Sequence, residues 1–316
     1  MHQIAIATDY QGYSYDKDET ERTLRVIAEA GISHVHWGHG WDGDHQYTED
    51  EISFVQNTLK KYGLKMKGIH GTNGWYYKGI EGQYKWFPQD EKQVSYTSFD
   101  ESLRQQGEEL LRNRIQLASA TGTTEVVLHM QLPYVFFNDD DYKERYYEQA
   151  FKSLDAVREY SLDRGVRICI ENLVGTPNEY QFDQFDRLFD RYSADYIGYC
   201  CDTGHLYLTN PEDPFCIPRK YKDRMYMIHL NDNHSIPSPV TFEDDRFMSQ
   251  CDEHHVLGDG VIDFTEFAGI LADSAYQLPV VGEFNRHEES ETEFLEKCLE
   301  RLDAYTQEVE QCKNRS

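Results

Sequence analysis

No apolar stretch in the chain approaches the ~20 residues needed to cross a bilayer as a helix, which excludes an α-helical membrane span. The N-terminus, MHQIAIATDY, has no charged leader and only a short apolar run, so a secretory signal is not expected. The seven cysteines contain no CxxC pair and are odd in number, which argues against a zinc ribbon and against a disulfide framework. Several lie inside apolar runs, where Cys behaves as a small hydrophobe, and a reducing, cytoplasmic setting is expected. Basic residues are scarce: 31 Lys and Arg stand against 57 Asp and Glu, a formal net charge of −26. Such a surface repels polyanions, so neither nucleic acid nor anionic membrane is expected as a partner. No GxGxxG turn follows the first strand-like run, which weighs against an open dinucleotide-binding sheet.

What is present is a regular alternation. The runs HQIAIAT, ISHVHWG, LKMKGIH, TEVVLHM, VRICIEN, YIGYCCD, MYMIHL and LPVVGE read as strands. Between them lie segments with helical spacing, such as Ile52, Val55, Leu59 and Tyr62 ahead of Gly63. The stretches CCDTGHLYL (200–208) and MIHLNDNH (227–234) read as strands delivering Asp202, His205, His229 and Asp232. Eight strand–helix alternations without a composition break imply parallel pairing and closure into a single (β/α)8 TIM barrel spanning 1–316. Two long loops, about 71–100 and 231–262, interrupt the rhythm. The first is rich in Gly and aromatics, Trp75 among them, and is expected to be a lid.

In such a barrel the active site lies at the C-terminal ends of the strands. Those ends carry, in order from the third strand to the eighth, His70, His129, Glu171, Asp202, His229 and Glu283. A lone His or Glu at a strand end is ordinarily structural, but six in succession point to a shared site. Carboxylates mixed with imidazoles suit Mn²⁺, Co²⁺, Fe²⁺ or Zn²⁺. The absence of a thiolate disfavours a closed structural zinc site and leaves an open catalytic one.

The segments IENL, CDTGH, HLND, HHVLGDGVIDF and VVGEF, in this order, resemble the sugar phosphate isomerase/epimerase family of xylose-isomerase-like barrels. That resemblance implies one divalent metal ion (Mn, Zn or Co) held by Glu171, Asp202, His229 and Glu283, with His205 on a substrate oxygen. The chain is also similar to endonuclease IV, which shares the fold and binds three zinc ions. His70, His129, Glu171, Asp202, His205, His229, Asp252, His254 and Glu283 resemble its ligands. The D-x-H of CDEHH occurs in some sugar-type members too, where an Arg usually follows; His255 stands there in this chain.

The reading adopted is a metal-dependent sugar isomerase or epimerase working through a cis-enediolate. Glu171 and Glu283 form its acid/base pair, and His205, His70, His129, Asp252, His254 and Trp75 contact substrate. An endonuclease IV-like phosphodiesterase acting at abasic sites is the alternative, disfavoured by the acidic charge. The segment FNRHEES after the last strand lacks a Gly-rich turn, so a phosphorylated substrate is not supported. A homo-oligomer is compatible with the sequence.

Overall fold

The computed structural model describes residues 2–12, 15–40, 44–73, 78–80, 83–85, 94–130, 138–174, 176–236 and 251–315. The strands are β1 His2–Ala7, β2 Ile32–Trp37, β3 Lys65–Asn73, β4 Lys78–Ile80, β5 Gln83–Lys85, β6 Glu125–His129, β7 Arg167–Glu171, β8 Ile197–Asp202, β9 Met225–His229 and β10 Val280–Gly282. Strands β4 and β5 form an isolated antiparallel pair within the long loop after β3. The other eight are the strands expected from the apolar runs. They lie in the order β10-β1-β2-β3-β6-β7-β8-β9, with parallel pairing throughout. Leu230, just beyond β9, meets β10 through Leu230 N–H to Val281 O (2.9 Å) and Glu283 N–H to Leu230 O (3.0 Å), and so brings the two ends of the sheet together. This is a TIM barrel.

Helices separate the strands: α1 Lys17–Glu29, α2 Glu49–Tyr62, α3 Glu101–Thr121, α4 Asp140–Leu162, α5 Asn178–Arg191, α6 Thr203–Thr209, α7 Cys216–Tyr221, α8 Thr265–Ala272 and α9 Glu291–Lys313. Their starts follow local chemistry. Asp16, Thr48, Asp100, Asp139 and Ser290 each accept a backbone N–H of the first turn, and Thr48 and Ser290 do so in reciprocal capping boxes with Glu51 and Glu293. One apolar face of each then packs on the barrel, as with Leu24 and Ile27 of α1 or Ile52, Val55 and Leu59 of α2. The seven cysteines are all free thiols, and five of them are buried.

Three sequence expectations need correction. The run CCDTGHLYL is not one strand: β8 stops at Asp202, whose carboxylate caps His205 N–H (2.8 Å), and α6 carries Leu206 and Leu208 into the interior. MIHLNDNH likewise leaves the sheet after His229. Asp232 does not face the strand-end cluster; its carboxylate accepts the backbone amides of Gly258, Gly260 and Ile262 at 2.9–3.0 Å. Finally, the spacing of residues 182–192 suggests a short helix from Phe182 to Tyr192, whereas α5 starts a turn earlier, at Asn178. Trp75 and the other residues at 74–77, 81–82 and 86–93 of the loop expected as a lid lie outside the described residues.

Arg114 on α3 is fully buried beneath the loops that follow β2 and β3. Its guanidinium donates to the carbonyls of Gly71 (2.8 Å), Gly40 (2.9 Å) and His45 (2.8 Å) and to Asn113 Oδ1 (2.9 Å), and it stacks over Tyr47. An Arg114→Met variant strands the buried carbonyls of Gly71 and Gly40 and the part-buried one of His45, a buried one costing about 1–3 kcal/mol when unpaired. The expected loss is about 3 kcal/mol or more, read from the urea midpoint; a loss below about 1 kcal/mol would show that this hub is dispensable.

Candidate active site

Four acidic or histidine side chains converge where β7, β8, β9 and β10 end. Glu171 and His229 are the last residues of β7 and β9, Asp202 is the last of β8, and Glu283 follows β10. Asp202 and His229 are wholly buried, Glu171 nearly so. Each of the four offers a donor atom within 4.8 Å of those of the other three. His229 Nδ1 lies 3.3 Å from Glu171 Oε2 and 3.1 Å from Glu283 Oε2, so the two glutamates flank one imidazole. Asp202 is oriented by its neighbours: Asn231 Nδ2 donates to its Oδ2 (2.8 Å), while Asn172 Oδ1 accepts its backbone N–H (3.0 Å).

The remaining expected residues, Trp75 excepted, surround this group. His129 Nε2 is 3.3 Å and His70 Nε2 3.7 Å from Glu171 Oε2. The strand bearing His70 continues to Asn73, with a register shift between His70 and Thr72. His205, on α6, sits with Nδ1 3.3 Å from Glu171 Oε1 and Nε2 3.4 Å from Asp252 Oδ2. His254 lies 3.3 Å from Asp252 and 3.7 Å from Glu283. Its backbone takes a left-handed φ of 50°, rare outside glycine, in the segment that brings Asp252 and His254 inward.

Two members of the cluster escaped the sequence reading. His36 of β2 is fully buried, its ring 4.7 Å from that of His229, and with His229 and Glu283 it makes another close donor trio. Asp9, just beyond β1, points its carboxylate at Gly38, where an added Cβ would lie 2.1 Å from Asp9 Cγ. Gly68 makes room in the same way for His36 and Met227, since a Cβ there would meet Met227 Cε at 1.9 Å and His36 Nδ1 at 2.9 Å. The signals were faint: an Asp two residues past the first strand, and a second His in ISHVHW.

The electrostatics are those of buried carboxylates and imidazoles packed against one another. Burial raises the Glu171 carboxyl, but His229 and His129 outweigh it and hold it well below its ordinary value. Glu283 is held low in the same way, burial being overcome by His229. Burial pushes Asp202 up to about 6 and Asp9 up to about 7, with Glu171 and Glu283 respectively adding to it. Burial lowers His254, yet Asp252 and Glu283 carry it to about 10. Crowded carboxylates thus retain protons on neighbouring imidazoles. Among the described residues, neither oxygen of Glu171 and neither ring nitrogen of His229 finds a hydrogen-bond partner, although all four atoms are buried. Buried polar atoms are seldom left so, and a divalent ion held by Glu171, Asp202, His229 and Glu283 would take the Glu171 carboxylate and one nitrogen of His229.

His36 yields a pH test. Burial, with His229 adding, lowers its pKa to about 3, against about 6.5 in an unfolded chain. A depressed His keeps its stabilising contribution above the unfolded value and loses it as pH falls from about 6.5 towards 3. Compared with wild type, His36→Gln should lose about 2–3 kcal/mol less stability between pH 7 and 4.5. Urea midpoints at the two pH values measure this; parallel losses would show that His36 does not resist protonation.

The family model described as a xylose isomerase-like TIM barrel matches residues 24–310. The chain belongs to that family. Among its relatives, an uncharacterised protein y4fM of Sinorhizobium fredii is 29% identical over 82% of this chain and 78% of its own length. Inosose dehydratase 2 of Bacillus cereus is 24% identical over 71% of this chain and 72% of its own. Similar solved folds include a D-tagatose 3-epimerase-like protein (TM-score 0.67, 18% identity, 98% of this chain and 99% of that one). An L-ribulose 3-epimerase aligns with TM-score 0.66 at 15% identity, over 100% of this chain and 97% of its own. No described helix of this xylose isomerase-like barrel is long and apolar enough to cross a membrane.

Proposed function

We propose that this chain is a divalent-metal-dependent isomerase or epimerase of a small ketose, aldose or polyol-derived substrate. The observation that carries the proposal is the pair Glu171 and Glu283, whose Oε2 atoms lie 3.3 and 3.1 Å from the same ring nitrogen of His229. Of two carboxylates on either side of one point, one can remove a proton α to a carbonyl and the other, after taking up a proton from solvent, can deliver one from the other side. Glu171, Asp202, His229 and Glu283 would hold the ion, which when bound supplies positive charge to the substrate oxygens as they become negative. His205, wedged between Glu171 and Asp252, offers an N–H to a substrate oxygen. His254 and Asp252 close the opposite flank, and His70 and His129 fix the Glu171 carboxylate.

Names among the relatives support the same opening step. Epimerisation beside a carbonyl and loss of water from a ketone such as inosose can both begin with removal of an α-proton. The test is to load the protein with Mn²⁺, Co²⁺ or Zn²⁺ and incubate it in D₂O with ketopentoses, ketohexoses and inosose. Proton NMR would follow loss of the α C–H signal, and chromatography would follow new sugars. Absence of exchange across the panel, with metal bound, would sink the proposal.

One observation favours a second reading. His70, His129, His205, Asp252 and His254 stand around the four residues above, and the nine-residue set resembles the ligands of endonuclease IV. That reading predicts three ions in the cluster, where the isomerase reading predicts one. The net charge of −26 opposes the tracking of a polyanion, so binding to abasic duplex DNA at physiological salt is not expected.

A further inference from the structure

The segment that carries Asp252 and His254 into the cluster turns its alternate residues the other way. Glu253 and His255 face outward and meet His234, which follows β9: His234 Nδ1 is 2.8 Å from Glu253 Oε2, and His255 Nε2 is 3.5 Å from Glu253 Oε1. One donor atom from each of the three lies within 4.8 Å of the others. A third imidazole joins them from the loop after β10. The His287 ring centroid is 4.2 Å from that of His255, and His234 is 5.1 Å from His255 on another side. The backbone already fixes this arrangement, for Asp232 and His255 exchange both their N–H groups at 2.8–2.9 Å and Glu253 Oε2 accepts His234 N–H at 2.9 Å.

We propose that His234, Glu253 and His255 form a second, outer metal site, distinct from the buried cluster, that takes a transition-metal dication. Two imidazoles and one carboxylate suit Zn²⁺, Co²⁺, Ni²⁺ or Cu²⁺ and disfavour Mg²⁺ and Ca²⁺, which prefer all-oxygen shells. His234 is half exposed and Glu253 and His255 partly so, which leaves the open edge a surface site needs for ion entry. An ion there would staple the chain that follows β9 to the segment that returns at 253–255. Since Asp252 and His254 alternate with two of its ligands, the staple would also hold those two in place at the inner cluster.

The inference stands apart from the proposed reaction, and its test counts ions rather than turnover. Metal-free protein would be titrated with Co²⁺ alone, bound ions counted after dialysis, and the visible absorption of bound Co²⁺ recorded. The double variant His234→Ala/His255→Ala should bind one ion per chain fewer than wild type, whatever number the inner cluster holds. In the reverse experiment, Asp202→Ala should lose inner binding yet keep the Co²⁺ spectrum of the outer site. His45→Ala, remote from both sites, should match wild type, and circular dichroism would verify the fold of each variant. An unchanged count in the double variant would overturn the proposal. So would loss of every ion, because the substitutions would then be acting through the inner cluster.

Discussion

Glu171→Gln and Glu283→Gln should each abolish exchange of a substrate α-hydrogen with solvent, by about 10²–10⁴-fold, while a divalent ion remains bound. An amide keeps nearly the same shape and a weaker oxygen donor that saturating metal can still occupy, but it cannot accept the proton. The burial of Glu171 sharpens the contrast, since no described neighbour is placed to act as a carboxylate in its stead except Glu283 and the aspartates already bound into the cluster. Deuterium incorporation followed by NMR, with metal content measured on the same samples, separates loss of the base from loss of the ion. The Glu283→Asp variant, which draws the carboxylate back by one methylene, should retain part of the exchange. If either Gln variant exchanges at near the wild-type rate, the acid/base assignment is wrong.

The second large effect belongs to Asp202. Its carboxylate does two things at once: it caps α6 through His205 N–H and takes Asn231 Nδ2, and it presents an oxygen to the inner cluster. Asp202→Ala should therefore weaken inner-site binding by more than the 10–100-fold typical of losing an outer partner, and should also cost about 1 kcal/mol of helix capping. Asp202→Asn separates the two roles. Asparagine caps a helix about as well as aspartate, so stability should recover while the ion stays weakly bound. Dialysis against buffered Zn²⁺ measures the first quantity and urea unfolding the second. Metal affinity restored by Asn would mean that Asp202 is a structural cap and no ligand.

The parts of this architecture that could be read from sequence are those where two signals coincide at one residue. Glu171, Asp202, His229 and Glu283 each close an apolar run, so strand pattern and ligand chemistry name the same position. His36 shows where that fails. In a parallel barrel both faces of a strand are buried, one by the barrel interior and one by helices, so alternation cannot tell whether His34 or His36 faces inward. Asp9 falls beyond the end of its run and gains its place only because Gly38, 29 positions further on, has no side chain. Helix α6 was hidden for another reason. TGHLYLT is too short to show helical periodicity, and its Leu and Tyr content also suits a strand; what decides is the Asp202 cap, which competes with strand continuation. The outer face of residues 253–255 was invisible because each residue's direction depends on the left-handed turn at His254.

The clip made by Asp232 has a consequence for how such an enzyme can change over generations. One carboxylate and one pair of backbone bonds fasten the chain's departure from β9 to its return at 255–262, before any intervening residue is considered. The two ends of the span between are thereby pinned side by side. Doubling the length of a loop so closed adds only about 0.6 kcal/mol of closure entropy. Insertions and deletions short of Asp252 and His254 can thus be sampled at small thermodynamic risk to the barrel.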